Sequence, residues 1–223
     1  MPRPAERTAA TGTRIRTTPT LLSLSLPLLT PRLRLRDLNS EDAAAEVALL
    51  EGLYEDERVT SQMPFWPYGH TATVNHVKRL LKAQQAKQRR VYELVVEVRR
   101  TGSFAGLCGL VVTTTAAEVK RGALRTAELG YVLAANRWGH GYATELVQHL
   151  LRAAWEPLGL ERVEAIIAKD HRASAKVLQR VGFQWEASLP KFTRVRGRSW
   201  DCELYAAASA PPAPRSPRGG RRG

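Results

Sequence analysis

The chain has 223 residues, 43% of them hydrophobic and 25% charged, which suits one domain of ordinary size with a single core. Its formal net charge of +13 is uneven: residues 1–29 contribute +3 and residues 206–223 contribute +4, leaving +6 between them. No run approaches the roughly 18 apolar residues of a membrane span, and the two cysteines, Cys108 and Cys202, each inside an expected strand, point to buried thiols rather than a disulfide framework.

The flanks differ in composition from the middle. Residues 1–28 are basic with few large apolar side chains early on, and residues 207–223 are rich in Pro, Gly and Arg, so both are expected to be disordered around a domain at 29–206. The apolar run at 21–29 (LLSLSLPLL) sits behind a basic segment as a signal-peptide core does, but no small-x-small site follows it. It reads as an extension feeding the first strand, and a cytoplasmic location is expected. Basic ends attract nucleic acid weakly and without sequence preference; simple solvated tails have the same composition.

Leu33 and Leu35 alternate with arginines and open the domain as a strand. Asn39-Ser40 can cap a helix whose Val47, Leu50 and Tyr54 share a face. A loop with Pro64 and Pro67 interleaves Phe65, Trp66 and Tyr68, and a second helix at about 71–88 turns Val74, Val77, Leu80 and Leu81 inward. Strands follow at 91–98 and 104–112, joined at Thr101-Gly102; 113–125 reads as a loop. Ala127, Leu129, Tyr131 and Leu133 then fall on one face of a strand at period two. The next helix carries Ala143, Leu146, Val147, Leu150, Leu151 and Ala154 on one stripe and ends at Pro157 and Gly159. A strand at 162–168 leads to a short helix through Val177, Leu178 and Val181, with Asp170 as a possible N-cap and Gly182 as its stop. Two final strands close the domain, and Trp155, Trp185 and Trp200 read as packing residues.

Between the strand at 127–133 and its helix lies Trp138-Gly139-His140-Gly141-Tyr142-Ala143. Glycines entering a helix let backbone N–H groups approach a ligand closely, and the helix N-terminus adds unpaired donors and partial positive charge. The pattern reads as a pyrophosphate cradle; the same spacing also serves as a plain tight turn. It lacks the third glycine of a dinucleotide fingerprint and the Gly-Lys-Ser/Thr of a P-loop.

The segment LGYVLAANRWGHGYATE resembles the acetyl-CoA motif of the GNAT N-acetyltransferases, and specifically their RimJ/RimL-like branch. The superfamily pattern Gln/Arg-x-x-Gly-x-Gly/Ala falls on Trp138, Gly141 and Ala143, with Trp in the first place. The resemblance continues in LTPRLRLRDL, MPFWPYGHT, GLERVEA, DHRASAKVLQRVGFQWEA and RGRSWDCELYA, covering about 29–206. It implies an α/β (α+β) fold with a mixed, splayed sheet flanked by helices in the order β-α-α-β-β-β-α-β-α-β-β. It also implies acetyl-CoA as co-substrate, no metal, and direct acetyl transfer to a primary amine, either a protein N-terminus or a small amine. Oligomeric state is left as monomer or homodimer. The alternative class is a non-catalytic module that binds acyl-CoA or, through its basic tails, nucleic acid or ribosomes.

On this resemblance the coenzyme would be held by Leu133, Trp138, Gly139, His140, Gly141, Tyr142, Ala143 and Thr144, with His171 standing where relatives carry Asn. His140 could pair a phosphate or be a solvated spacer. Glu128, inside an apolar strand, is the candidate base, since desolvation raises a carboxylate's pKa; an outward-facing edge carboxylate is the other reading. Ser174 is implied as the group acting near the leaving sulfur, although a serine in a first helical turn also bonds local backbone. Trp66 and Tyr68 would line the acceptor pocket or cap the core.

Overall fold

In the first long strand pair, alternation decides which side chains are buried. The computed structural model describes residues 23–64, 69–195 and 197–209. In β2 (Leu33–Arg36) both leucines are fully buried, while Arg34 and Arg36 reach Glu97 of β3 (Val91–Val98) at 3.3 and 2.6 Å. Opposite charges on neighbouring strands thus reinforce the register that the leucines require. A two-residue strand, β1 (Leu28–Leu29), edges the sheet on this side.

The sheet continues through β4 (Ser103–Val112), β5 (Thr126–Leu133) and β6 (Arg162–Ala168) to the long hairpin β7 (Gln184–Val195) and β8 (Arg198–Ala208). Spatial order is β1-β2-β3-β4-β5-β6-β8-β7; β5 and β6 pair parallel and the other neighbours antiparallel. Helices cover both faces. Helices α1 (Ala43–Tyr54), α2 (Glu57–Thr60) and α3 (His70–Gln84) pack over Val95, Leu107 and Val132. On the opposite face α5 (Tyr142–Trp155) packs Leu146, Val147, Leu150 and Leu151 against Leu94, Cys108, Leu110 and Leu129. Central strands buried on both sides explain why 91–98 is almost continuously apolar. Cys108 and Cys202 are buried free thiols.

The expected element order holds among the described residues, with four short additions: β1, α2, α4 (Ala116–Lys120) and a 3₁₀ turn at Ala135–Arg137. Helix α4 lies in the tract expected to be a loop and is fixed by a capping box, in which Thr115 and Glu118 bond each other's backbone N–H. The cap of α1 is Asp42 rather than Asn39-Ser40: its carboxylate accepts from Ala45 N–H at 3.0 Å, while Asn39 bonds Glu41 N–H. Helix α3 stops at Gln84, short of 88. The N-cap of α6 (Arg172–Arg180) is His171, not Asp170. Trp185 does not pack: it is 52% exposed on the outer strand of the hairpin. Leu24, five residues before the expected domain start, is buried in the α5-side core. Among the described residues no helix is long and apolar enough to cross a membrane.

Candidate active site

β5 and β6 share three rungs, Thr126↔Arg162, Ala127↔Val163 and Glu128↔Glu164, and then part. Beyond that point β5 keeps its antiparallel partner β4 as far as Leu133↔Gly106, while β6 keeps β8 as far as Ala168↔Cys202. Each strand follows its antiparallel neighbour, so a cleft opens between them. Two cavities occupy it, of about 750 and 700 Å³, and both are lined by Gln62, Met63, Tyr131, Val132, His171 and Ser174. They are two ends of one passage through the splayed sheet.

The smaller cavity lies at the N-terminus of α5. Gly139 and Gly141 both have φ of +76°, a left-handed conformation that a side chain disfavours. Gly141 caps α5 without a side-chain hydrogen bond, so the first-turn N–H groups have no side-chain acceptor from the cap. Leu133, Trp138, Gly139, Gly141, Tyr142 and Ala143 line this cavity, as do Thr144 and His171. The Trp138 indole N–H donates to the Leu133 carbonyl at 2.8 Å, closing the chain over the 3₁₀ turn Ala135–Arg137 and leaving the ring at the cavity's edge. His140 is solvent-exposed. Its Nδ1–H donates to the Trp138 carbonyl at 2.7 Å and its ring stacks on Tyr142, so its side chain folds onto the loop rather than lining the cavity.

Charge separates the two ends. Arg58, Arg137, Arg172 and Arg180 line the α5 end against the one carboxylate of Asp170. The Arg58 guanidinium is already paired with Asp56 at 2.7 Å; helix N-terminal N–H groups, two left-handed glycines and the other three arginines together suit a polyanion such as the phosphates of a coenzyme. The other end carries Glu93 and Glu128 against Arg79. Arg79 donates to His76 Nδ1 at 3.1 Å, which leaves His76 Nε2–H to donate to Glu93 at 2.9 Å.

Glu128 sits at the last shared rung, where the cleft begins. It is exposed into the cavity, but the surrounding walls strip part of its hydration and Glu164 stands beside it on β6, so its pKa is raised above the ordinary carboxylate value. At the junction of the two cavities the Tyr131 hydroxyl lies 2.7 Å from Ser174 Oγ. Burial pushes the Tyr131 phenol up to about 12, against a smaller lowering by Ser174, so it stays protonated. His171, beside them, is held below the ordinary histidine value by burial and is neutral at pH 7.

Trp66 and Tyr68 lie outside the described residues. Glu128, Ser174 and His171 are brought to one cleft, and so is every residue expected at the cradle except the His140 side chain. Sequence reasoning missed Tyr131, which it assigned to the apolar face of its strand, and the arginines of the α5 end, which come from three separate segments.

The family description "Acetyltransferase (GNAT) domain" matches residues 32–184. The chain belongs to the GNAT acetyltransferases. An uncharacterized N-acetyltransferase, p20, of Bacillus licheniformis is 28% identical over 179 residues, covering 80% of this chain and 94% of that protein. Mycobacterium smegmatis RimJ, solved with a CoA-disulfide, matches with a TM-score of 0.67 at 26% identity, over 82% of this chain and 88% of that one. The microcin C7 self-immunity acetyltransferase MccE, solved with acetyl-CoA and AMP, has the same fold, with a TM-score of 0.66 at 20% identity over 84% of this chain and 99% of its own.

This GNAT chain is therefore an acetyl-CoA-dependent N-acetyltransferase with a RimJ among its structural relatives. Its cradle fits the coenzyme on its own evidence, because the α5 end combines backbone donors with an excess of positive charge.

Proposed function

We propose that this enzyme acetylates the N-terminal amine of a protein, which enters from the Glu93–Glu128 end of the cleft and is acetylated beside Tyr131 and Ser174. The observation that carries this reading is the division of charge along one passage, basic at α5 and acidic opposite. A protonated amine is attracted to the second end and repelled by the first. The acceptor cavity, about 750 Å³, is larger than an isolated ammonium group needs, which favours an amine at the end of a chain.

When bound, acetyl-CoA supplies a thioester-activated acetyl group. The amine attacks only as the neutral base, so its proton must leave first. Glu128 takes up that proton, directly or through a water, and its raised pKa brings it closer to the amine's working range. The Ser174 hydroxyl, fixed by Tyr131, stands where it can donate a hydrogen bond to the departing sulfur. His171 supplies a neutral imidazole to the same junction.

A small amine is the second reading, and Glu93 favours it: a second carboxylate suits an acceptor with another cationic group. Release of free thiol from acetyl-CoA, measured against short peptides with free N-termini, the same peptides N-acetylated, polyamines and aminoglycosides, separates the two. Turnover with free-amine peptides and none with their blocked forms is the expected result. Turnover confined to polyamines or aminoglycosides transfers the assignment to the second reading.

A further inference from the structure

We infer that Arg32, which lies outside both cavities, is a positioning residue that aims the Gly141 N–H at the coenzyme's phosphates. The inference rests on the reading of the α5 N-terminus as the phosphate cradle.

Arg32 lies in the turn between β1 and β2 and meets the cradle loop from behind. Its Nη1 donates to the His140 carbonyl at 2.8 Å, and its guanidinium lies over the Tyr142 ring, 4.8 Å from the centroid. The same guanidinium lies against Gly141: a Cβ built there would stand 3.5 Å from Arg32 Nη2, ordinary contact distance. The His140–Gly141 peptide is trans, and in a trans peptide the C=O and N–H point in opposite directions. With the carbonyl tied to Arg32, the Gly141 N–H is turned away from Arg32. Gly141 lines the coenzyme cavity and Arg32 does not. The tie therefore selects one of the two faces this peptide can present, and the left-handed freedom of Gly141 would otherwise allow either.

Arg32 also silences a charge. Glu145 occupies the first turn of α5, where a free carboxylate would repel incoming phosphates. Its Oε1 accepts from Thr30 Oγ1 at 2.5 Å and from Arg32 N–H at 2.8 Å, and its Oε2 accepts from Arg32 Nε at 2.6 Å. Partial burial by itself would raise the Glu145 pKa; the Thr30 and Arg32 bonds outweigh this and hold it below the ordinary value. The negative charge is thus permanent but compensated, and its compensating partner is the residue that orients the loop.

The experiment compares wild type, Arg32→Ala and Arg32→Lys on two thioesters, acetyl-CoA and S-acetylpantetheine, the second of which lacks the phosphates. Arg32→Ala should raise KM for acetyl-CoA about tenfold, the scale of one lost charged hydrogen bond, with kcat nearly unchanged. Its kcat/KM for S-acetylpantetheine should equal that of wild type, and Arg32→Lys should recover part of the loss on acetyl-CoA. Equal losses on both thioesters would make Arg32 a general structural residue, and no loss on either would remove it from the cradle; each result overturns the inference. Calorimetric titration with CoA separates the two levels of the argument. Wild type that fails to bind CoA refutes the cradle itself, whereas wild type and both variants binding CoA equally refutes only the role of Arg32. Should Arg32→Ala not fold, Arg32→Lys alone decides, because an ammonium cannot hold the Glu145 carboxylate and the His140 carbonyl in the guanidinium's forked geometry.

Discussion

The Tyr131 hydroxyl and Ser174 Oγ meet at 2.7 Å where the two cavities adjoin, one from β5 and the other from the first turn of α6. Ser174 is buried, so each hydroxyl has its hydrogen-bonding satisfied mainly by the other. Removing one partner strands the other, at about 1–3 kcal/mol. A double-mutant cycle of Tyr131→Phe and Ser174→Ala, read by urea denaturation, should show the pair costing less than the sum of the single changes. The same cycle read on kcat should also be non-additive. Strictly additive effects on both readouts would mean that the two groups work independently.

Glu128→Gln keeps the shape of the side chain and removes its basicity. The rate should fall by about the 10² to 10⁴ that a general base contributes, with CoA affinity unchanged, because Glu128 lies outside the coenzyme cavity. The carboxyl must be ionised to act, and its pKa is raised by desolvation and then by Glu164. Wild-type kcat/KM should therefore be lost as pH falls through a value above the ordinary glutamate pKa, and the Gln variant should lack that limb. Superimposable pH profiles would return Glu128 to a structural role.

The cradle predicts a stability effect. CoA at 100 times its dissociation constant should add about 2.7 kcal/mol to the unfolding free energy. Gly141→Asp puts a carboxylate beside the α5 N-terminus and a Cβ at φ +76° within reach of Arg32. That variant should melt somewhat below wild type without ligand, because a side chain strains the left-handed Gly141, and should in addition lose most of the CoA-induced shift. A retained shift would place the phosphates elsewhere.

Leu24 is 8% exposed and packs into the α5-side core with Leu26 and Leu28 at its margin. We propose that the folded domain includes this segment. A chain beginning at residue 29 should lose about 2 kcal/mol relative to one beginning at residue 21, the worth of a buried leucine. Equal urea midpoints for the two chains would show that the segment adds nothing to stability.

Much of the fold was legible because its signals are periodic. Strands 91–98 and 162–168 were bounded to the residue by their apolar pattern, and the stripe from Leu146 to Ala154 is buried as expected. Helix α4 escaped because a five-residue helix held by Thr115 and Glu118 needs no apolar face, and it buries none. The α1 cap was misplaced because four of the residues before the helix (Asn39, Ser40, Asp42 and Asp37) have capping chemistry, and the choice depends on backbone angles. At the site, the cradle was readable as local sequence. Tyr131 was hidden by its own hydrophobic setting, since period two reports which face a ring occupies and says nothing of its hydroxyl. Arg32 was unreadable, because its partners Glu145 and His140 lie more than a hundred residues away.

The three rungs that join β5 to β6 also divide the molecule mechanically. On one side β1 through β5 form a continuously bonded sheet; on the other, β6, β8 and β7 form a second, and within the sheet the strand pairing between them ends at Glu128↔Glu164. Such a seam is a natural border for sub-global opening, so the β6–β8 block can exchange its amide hydrogens without unfolding the rest. A coenzyme lying between Tyr131 and His171 would span that border and splice the halves together. Slower hydrogen exchange across β6 and β8, far beyond the atoms a ligand touches, is the signature of a sheet whose missing rungs are supplied by its substrate.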